Sequence, residues 1–162
     1  MTTAKYRVPF GTVSITDEAR KIIEEILDTK WVTQGKYVRE FEAQFARLFG
    51  AKEAVAVSSG TDADTLALAV LHDFGAKRDD EIIIPALSFV ATGNSVLQAG
   101  FTPRFVDVER YTLNIDPKKI EKVITKKTRA IMPVHLMGKP AEMDTINKIA
   151  KKHHLYVVED AA

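Results

Sequence analysis

The sequence predicts an α/β fold: three layers, with a mostly parallel sheet covered by helices on both faces. Three observations carry that prediction. From residue 53 onward, short β-rich runs alternate with helical stretches, the rhythm of repeated strand–helix–strand units. Several of these runs, "EIIIP" at 81–85 among them, are nearly continuous in large aliphatic residues, as strands buried on both faces should be. Apolar residues make up 46% of the 162-residue chain against 28% charged, which suffices for a packed core.

The elements follow in order. Thr16 is a good N-cap, with Asp17 and Glu18 in the first turn, where negative charge suits the helix dipole. Ile22, Ile23, Ile26 and Leu27 then recur at helical spacing. "VTQGK" reads as a loop, and a second helix carries Phe41, Phe45, Leu48 and Phe49 on one stripe before Gly50 stops it. Strands are expected in "EAVAVS", "EIIIP", "TPRFVDV", "RAIMPVHL" and "LYVVED". Helices are expected in "DADTLALAVLHDFG", "FVATGNSVLQAG", "DPKKIEKVIT" and "AEMDTINKIAKKH". Residues 1–50 therefore read as a helical N-terminal arm and 51–162 as the α/β part.

Composition narrows the function. Lys plus Arg is 23 and Asp plus Glu is 22, a net charge of +1, which gives no reason to expect nucleic acid or an anionic membrane as partner. There is no cysteine, so disulfides, thiolate nucleophiles and thiolate metal sites are excluded. "MTTAKYRVPF" lacks the apolar core of a signal peptide, and no apolar run approaches the ~18 residues of a membrane span. A cytoplasmic protein without a metal site is expected.

Ligands of open parallel sheets bind outside the carboxyl ends of the strands, so the residues following each strand are the candidates. "SSGT" at 58–61 opens a helix and offers free N–H groups and hydroxyls to an anion; the alternative is that Ser59 or Thr61 merely caps the helix. The G-x-G-x-x-G and P-loop fingerprints are absent. Phe89 is either a core aromatic or a platform for a flat ring. His135 alone suggests a structural histidine, and His72, His153 and His154 read as solvated surface. Asp160 ends the last apolar run, either as a cap or as a presented acid. An anion-binding turn, an aromatic, a polar turn and an acid on one sheet edge suit a flat, phosphorylated, basic heterocycle, and pyridoxal phosphate fits that description.

These motifs resemble those of the DegT–DnrJ–StrS family of pyridoxal-phosphate-dependent sugar aminotransferases. The likeness runs through "VPFG", "WVTQGKYVREFE", "VAVSSGTDA", "EIIIPALSFVATGNSV", "LNIDP", "RAIMPVHLMGKPAEMD" and "VVEDAA". It implies that Ser59, Gly60 and Thr61 hold the cofactor phosphate, that Phe89 stacks on the ring and that Asp160 pairs with the ring nitrogen. The stretch from Trp31 to Gly35 corresponds to a loop near the active site. Asp64 departs from the leucine common in the family, and Asp80 from a glycine; an inward-pointing Asp64 would disturb packing.

The resemblance implies a fold type I large domain whose Schiff-base lysine lies beyond Ala162. Lys5 and Lys139 read as surface residues, so the catalytic residue is outside this chain. Residues 1–162 are accordingly expected to be the N-terminal part of a longer enzyme, inactive and poorly folded alone, with "EAVAVS" deprived of its sheet neighbours. The implied partners are a nucleotide-linked keto sugar and an amino donor, glutamate, in a homodimeric parent of polysaccharide or glycoconjugate biosynthesis. A sugar dehydratase on the same scaffold, with histidine replacing the lysine, and a non-catalytic binding remnant are the alternatives. An unrelated flavodoxin-like domain is disfavoured by the helical arm and the ordered set of motifs.

Overall fold

The computed structural model describes residues 13–162, so "VPFG" and Lys5 lie outside the described residues. The chain divides into two compact units, one reaching to Ala56 and one spanning Val57–Ala162.

In the first unit, helix α1 (Asp17–Asp28) starts where the sequence places it, with the Thr16 hydroxyl accepting from the Ala19 N–H at 3.1 Å. Helix α2 (Lys36–Phe49) ends on Gly50, whose φ of 66° is the left-handed conformation that glycine adopts without a Cβ penalty. Along α2 the rings of Phe41 and Phe45 lie 5.6 Å apart and those of Phe45 and Phe49 4.5 Å apart, the i, i+4 contacts of one helical stripe. The strand expected in "EAVAVS" does not form: residues 53–57 join no ladder. The Ala56 N–H is satisfied instead by Glu42 Oε1 at 2.9 Å.

The second unit is built on a parallel sheet. Its strands are β1 (Glu81–Pro85), β2 (Thr102–Val106), β3 (Thr128–Ile131) and β4 (Tyr156–Val157), in the spatial order β2-β1-β3-β4. Ile83 pairs with Arg104 on one side and with Ile131 on the other. The chain steps from β1 outward to β2 and then returns to the opposite side of β1, so strand order reverses between β1 and β3.

Helices α3 (Gly60–Ala69), α4 (Val90–Gln98), α5 (Pro117–Ile120) and α6 (Met143–His153) complete the layers. The period-two alternation of β1 divides the core. Ile82 and Ile84 join Leu68, Leu71, Val96, Phe101 and Met132 on the α3–α4 face. Ile83 and Ile131 join Ile115, Ile120, Ile146 and Ile149 on the α5–α6 face. Each fully buried isoleucine contributes about 1.5–3 kcal/mol from the area it removes from water. The three-layer α/β class is therefore as expected.

Two polar residues behave differently from expectation. His72, which read as solvated, is half-buried against Phe101, with the rings stacked at 4.5 Å. Its Nδ1 meets the Ala76 carbonyl at 3.0 Å and its Nε2 the Ala99 carbonyl at 2.9 Å. Two carbonyl acceptors ask both ring nitrogens to donate, so the Ala99 carbonyl first and that of Ala76 second hold the imidazole pKa above its ordinary value. The residue that precedes "DE", where the resemblance expects glycine, is Asp79, whose φ of 64° is the left-handed conformation that favours glycine; Asp80 itself is buried at the amino-terminal edge of the sheet and accepts from Lys77 N at 2.8 Å and Arg129 Nε at 2.7 Å. Burial opposes its charge, yet the Lys77 N–H and the Arg129 guanidinium hold the carboxyl below its usual range. His153 also has a partner, Glu121 Oε1 at 2.8 Å.

Candidate functional site at the carboxyl ends of the strands

Hydrogen bonding continues past the ends of the strands and fixes where the candidate acid stands. Val158 N donates to Ile131 O at 3.0 Å, Asp160 N to Pro133 O at 3.0 Å, and His135 N to Asp160 O at 2.9 Å. Asp160 is thereby placed at the carboxyl edge, bridged to Val134 beyond β3. It is 5% exposed. Its side chain is positioned from two directions: Oδ2 accepts from Thr92 Oγ1 at 2.8 Å and Oδ1 from Ala162 N at 3.2 Å. Because the single Thr92 hydroxyl proton goes to Asp160, the 2.7 Å contact of Thr92 Oγ1 with Ser88 Oγ has serine as its donor. The result is a directed chain, Ser88 to Thr92 to Asp160. Each carboxylate oxygen retains acceptor capacity for a further donor.

The turn opening α3 lies against the same edge. A Cβ on Gly60 would stand 3.7 Å from the Ala162 Cβ, which brings Ser59–Thr61 beside the segment that carries Asp160. Capping is realised: Ser59 Oγ accepts from Asp62 N at 3.1 Å and donates to Asp62 Oδ2 at 3.0 Å, an N-cap bond reinforced by the aspartate side chain. Ser58 also hydrogen-bonds to the Asp62 carboxylate, and the two serine hydroxyls, Ser58 first, hold that carboxyl below its ordinary pKa. The first-turn N–H groups of Gly60 and Thr61 have no acceptor within the helix and meet none among the described residues. The sequence posed capping and anion binding as alternatives; capping uses the Ser59 hydroxyl and leaves these backbone donors unspent.

Phe89 occupies the N-cap position of α4 and is 76% exposed among the described residues. It immediately follows Ser88, the first donor of the chain to Asp160. His135 sits at the same edge with both nitrogens engaged. Nδ1 accepts from the Ala141 N–H at 3.1 Å, so the ring proton is on Nε2, which faces Glu159 Oε2 at 2.9 Å. That is the structural role its sequence context suggested. The turn after it is clamped by buried Asn114, whose Nδ2 donates to Lys139 O at 2.8 Å and whose Oδ1 accepts from Leu136 N at 3.1 Å.

Thr92 and Asn114 were missed in the sequence, although each had a signal. Thr92 is a polar residue on the buried stripe of a short helix, four residues after Ser88, and Asn114 lies within the "LNIDP" motif. Asp64, noted only as a departure, points inward and is 9% exposed. Burial first, and the charge of Asp160 second, push its pKa up to about 6. Lys139 lends its backbone carbonyl to Asn114 and its side chain to none of these contacts.

Among the described residues no group of three or more His, Cys, Asp or Glu is arranged to hold a metal ion, and no helix is long and apolar enough to cross a membrane.

Known proteins share this sequence pattern and fold. The pattern of the DegT/DnrJ/EryC1/StrS aminotransferase family matches residues 13–162. The chain is 41% identical over 157 residues to the GDP-perosamine synthase of Caulobacter vibrioides, covering 96% of this chain and 42% of that protein. It is similar to the Escherichia coli GDP-4-keto-6-deoxy-D-mannose-3-dehydratase solved with bound hydrated PLP, with a TM-score of 0.87 and 39% identity over 95% of this chain and 40% of that one. A GDP-4-keto-6-deoxymannose-3-dehydratase with a trapped PLP-glutamate geminal diamine aligns with a TM-score of 0.86 and 40% identity, over 94% of this chain and 40% of the other. The chain thus spans about two fifths of the length of the relatives it matches.

Proposed function

The chain belongs to the DegT/DnrJ/EryC1/StrS aminotransferase family, and on that premise we propose that it forms the cofactor-binding portion of a pyridoxal-phosphate-dependent enzyme acting on a nucleotide-linked keto sugar. One observation carries the reading. A buried carboxylate, Asp160, is oriented by Thr92 at the carboxyl edge of the sheet, beside the opening turn of α3.

The residues present fit the cofactor. Asp160 keeps acceptor capacity for a protonated ring nitrogen, and its burial strengthens that interaction by excluding water. Phe89 offers an exposed ring face for stacking. Gly60 and Thr61 offer unspent N–H donors at the positive end of a ten-residue helix. Ser59 reaches a phosphate through its hydroxyl only by releasing Asp62, whose carboxylate would otherwise repel the anion. When bound, pyridoxal phosphate supplies an electron sink for a carbanion formed at the carbon bearing the amino group. Asp160 favours the protonated ring that this sink requires, and Ser88 and Thr92 keep its carboxylate in place. The proton-transferring lysine implied by the family resemblance belongs outside residues 1–162.

Within this reading the reaction is amino transfer from glutamate to a keto sugar, in a cytoplasmic homodimer serving polysaccharide or glycoconjugate synthesis. The dehydratase reading has its own support in the 0.87 TM-score to the Escherichia coli 3-dehydratase. One experiment separates them. The natural-length protein, loaded with pyridoxal phosphate, is incubated with a GDP-4-keto-6-deoxy sugar and glutamate, and the products are weighed by mass spectrometry. Amino transfer gives 2-oxoglutarate and a sugar carrying nitrogen in equal amounts. A sugar that has lost a hydroxyl and gained no nitrogen selects the dehydratase, and an unchanged sugar contradicts both for this substrate.

A further inference from the structure

The turn that opens α3 already holds an anion of its own. Ser58 Oγ donates to the Asp62 carboxylate, and Ser59 Oγ donates to Oδ2 of the same group at 3.0 Å. Asp62 is the third residue of the helix, and its N–H donates in turn to Ser59 Oγ at 3.1 Å. A carboxylate bound to the N-cap hydroxyl lies at the positive end of the helix, where backbone N–H groups and the macrodipole favour negative charge. The two serine bonds, that of Ser58 first, keep it ionised by holding its pKa below the ordinary value. Each serine hydroxyl has one proton to donate, so neither can serve a second anion while Asp62 is in place. An anion entering this turn therefore meets a fixed negative charge and two hydroxyls that are already committed.

We propose that Asp62 is a resident competitor at the phosphate site, which occupies the Ser58 and Ser59 hydroxyls in the empty turn and moves aside when the cofactor phosphate binds. The inference rests on the functional reading above and adds an internal rival to it. Displacement leaves the helix capped. Asp62 yields two hydroxyl protons to the phosphate, while its own N–H stays on Ser59 Oγ. An entering group must offer enough acceptors to replace the carboxylate on both serines. A phosphate monoester, with three terminal oxygens and nearly two negative charges, meets that requirement. Ser58, to which the family resemblance gives no role, is released together with Ser59. Asp62 therefore lowers the affinity for the phosphorylated cofactor, and removing its charge raises it.

The test measures binding of pyridoxamine 5′-phosphate to the natural-length protein and to its Asp62→Asn and Asp62→Ala variants by equilibrium dialysis. Asparagine removes the charge and keeps an amide acceptor for the serines, whereas alanine removes both, so a folding defect in one leaves the other informative. Both variants are expected to bind about two- to fivefold more tightly than wild type, the effect of one charge near a helix terminus. That gain should narrow between about 0.01 M and about 1 M salt, as the screening length falls from ~30 Å to ~3 Å. A purely structural role would weaken binding or leave it unchanged, because losing a first-turn acid destabilises the helix that carries the site. Unchanged or weaker binding by both variants, or a gain that salt does not reduce, overturns the proposal while leaving the phosphate site intact. Failure of the wild type and both variants to bind at any salt concentration overturns the functional reading, and the role of Asp62 falls with it.

Discussion

At the scale of the residue, the account turns on two aspartates and one threonine. Thr92→Val keeps the shape of a side chain that is 1% exposed while removing the donor to Asp160 Oδ2. It also strands the Ser88 hydroxyl. A lost hydrogen bond to a charged group costs about 1.5–3 kcal/mol, so cofactor affinity should fall at least tenfold, read by equilibrium dialysis, with a modest loss of Tm. Asp64 yields a prediction for stability without cofactor. Its pKa is raised in the folded state to about 6, so its contribution favours folding at pH values below the unfolded carboxylate value and is lost as pH rises through about 6. The loss is at most about 3 kcal/mol. Urea titrations of the cofactor-free protein at pH 5 and pH 7.5 should therefore show a smaller pH difference in Asp64→Asn than in wild type. None of this was visible in the sequence, where Asp64 was a departure of unknown orientation. Helical spacing to Leu68 and Leu71 fixes the stripe, but the proximity of Asp160, almost a hundred residues further along, exists only after folding.

At the scale of the element, α3 is extended by a 3₁₀ turn, Val70–His72, that is tied to the end of α4 through His72 and the Ala99 carbonyl. The raised imidazole pKa stabilises the fold fully below the unfolded histidine value and ceases to do so as pH rises through the folded one. His72→Gln should flatten the dependence of Tm on pH from 6 to 8, and an unchanged slope would show that the protonated ring is not what joins the two helices. Asp80 works at the other end of the sheet, joining the start of β1 to Arg129 of β3. Asp80→Asn should cost about 2 kcal/mol by urea titration, from a hydrogen bond to a charged group. The wild-type contribution is present above the unfolded carboxylate pKa and fades as pH falls through the depressed folded value. Elements of this kind were largely legible. Periodicity and the Thr16 and Gly50 signals located the first two helices, and the aliphatic runs located β1 to β4. "EAVAVS" has the composition of a strand but joins no ladder, because a strand is defined by a neighbour and this segment is deprived of its own.

At the scale of the whole molecule, the parallel sheet turns sequence order into a shared edge. Strand order reverses between β1 and β3, the position where open α/β sheets accommodate ligands. Residues from the opening of α3, the loop after β1 and the segment after β4 meet there because every parallel strand ends on the same side. For that reason Phe89 and Asp160, which follow β1 and β4, could be assigned to one edge from the order of strands and helices along the chain, whereas Ser59, Gly60 and Thr61 follow a segment that joins no ladder. The connections among them could not be located in that way, since Thr92 and Ala162 reach Asp160 through side-chain and backbone directions that composition does not encode. Division of the chain into two compact units, the first ending at Ala56, is also a property of contacts rather than of composition.

The central claim is that Asp160 receives the ring nitrogen of pyridoxal phosphate. It is tested most directly by titrating the natural-length protein and its Asp160→Ala variant with the cofactor and following binding by absorbance and equilibrium dialysis. Removing one partner of a buried charge pair costs about 2–5 kcal/mol, so the account predicts a loss of affinity on the order of a hundredfold. Wild-type affinity in a variant that is correctly folded by circular dichroism would contradict it.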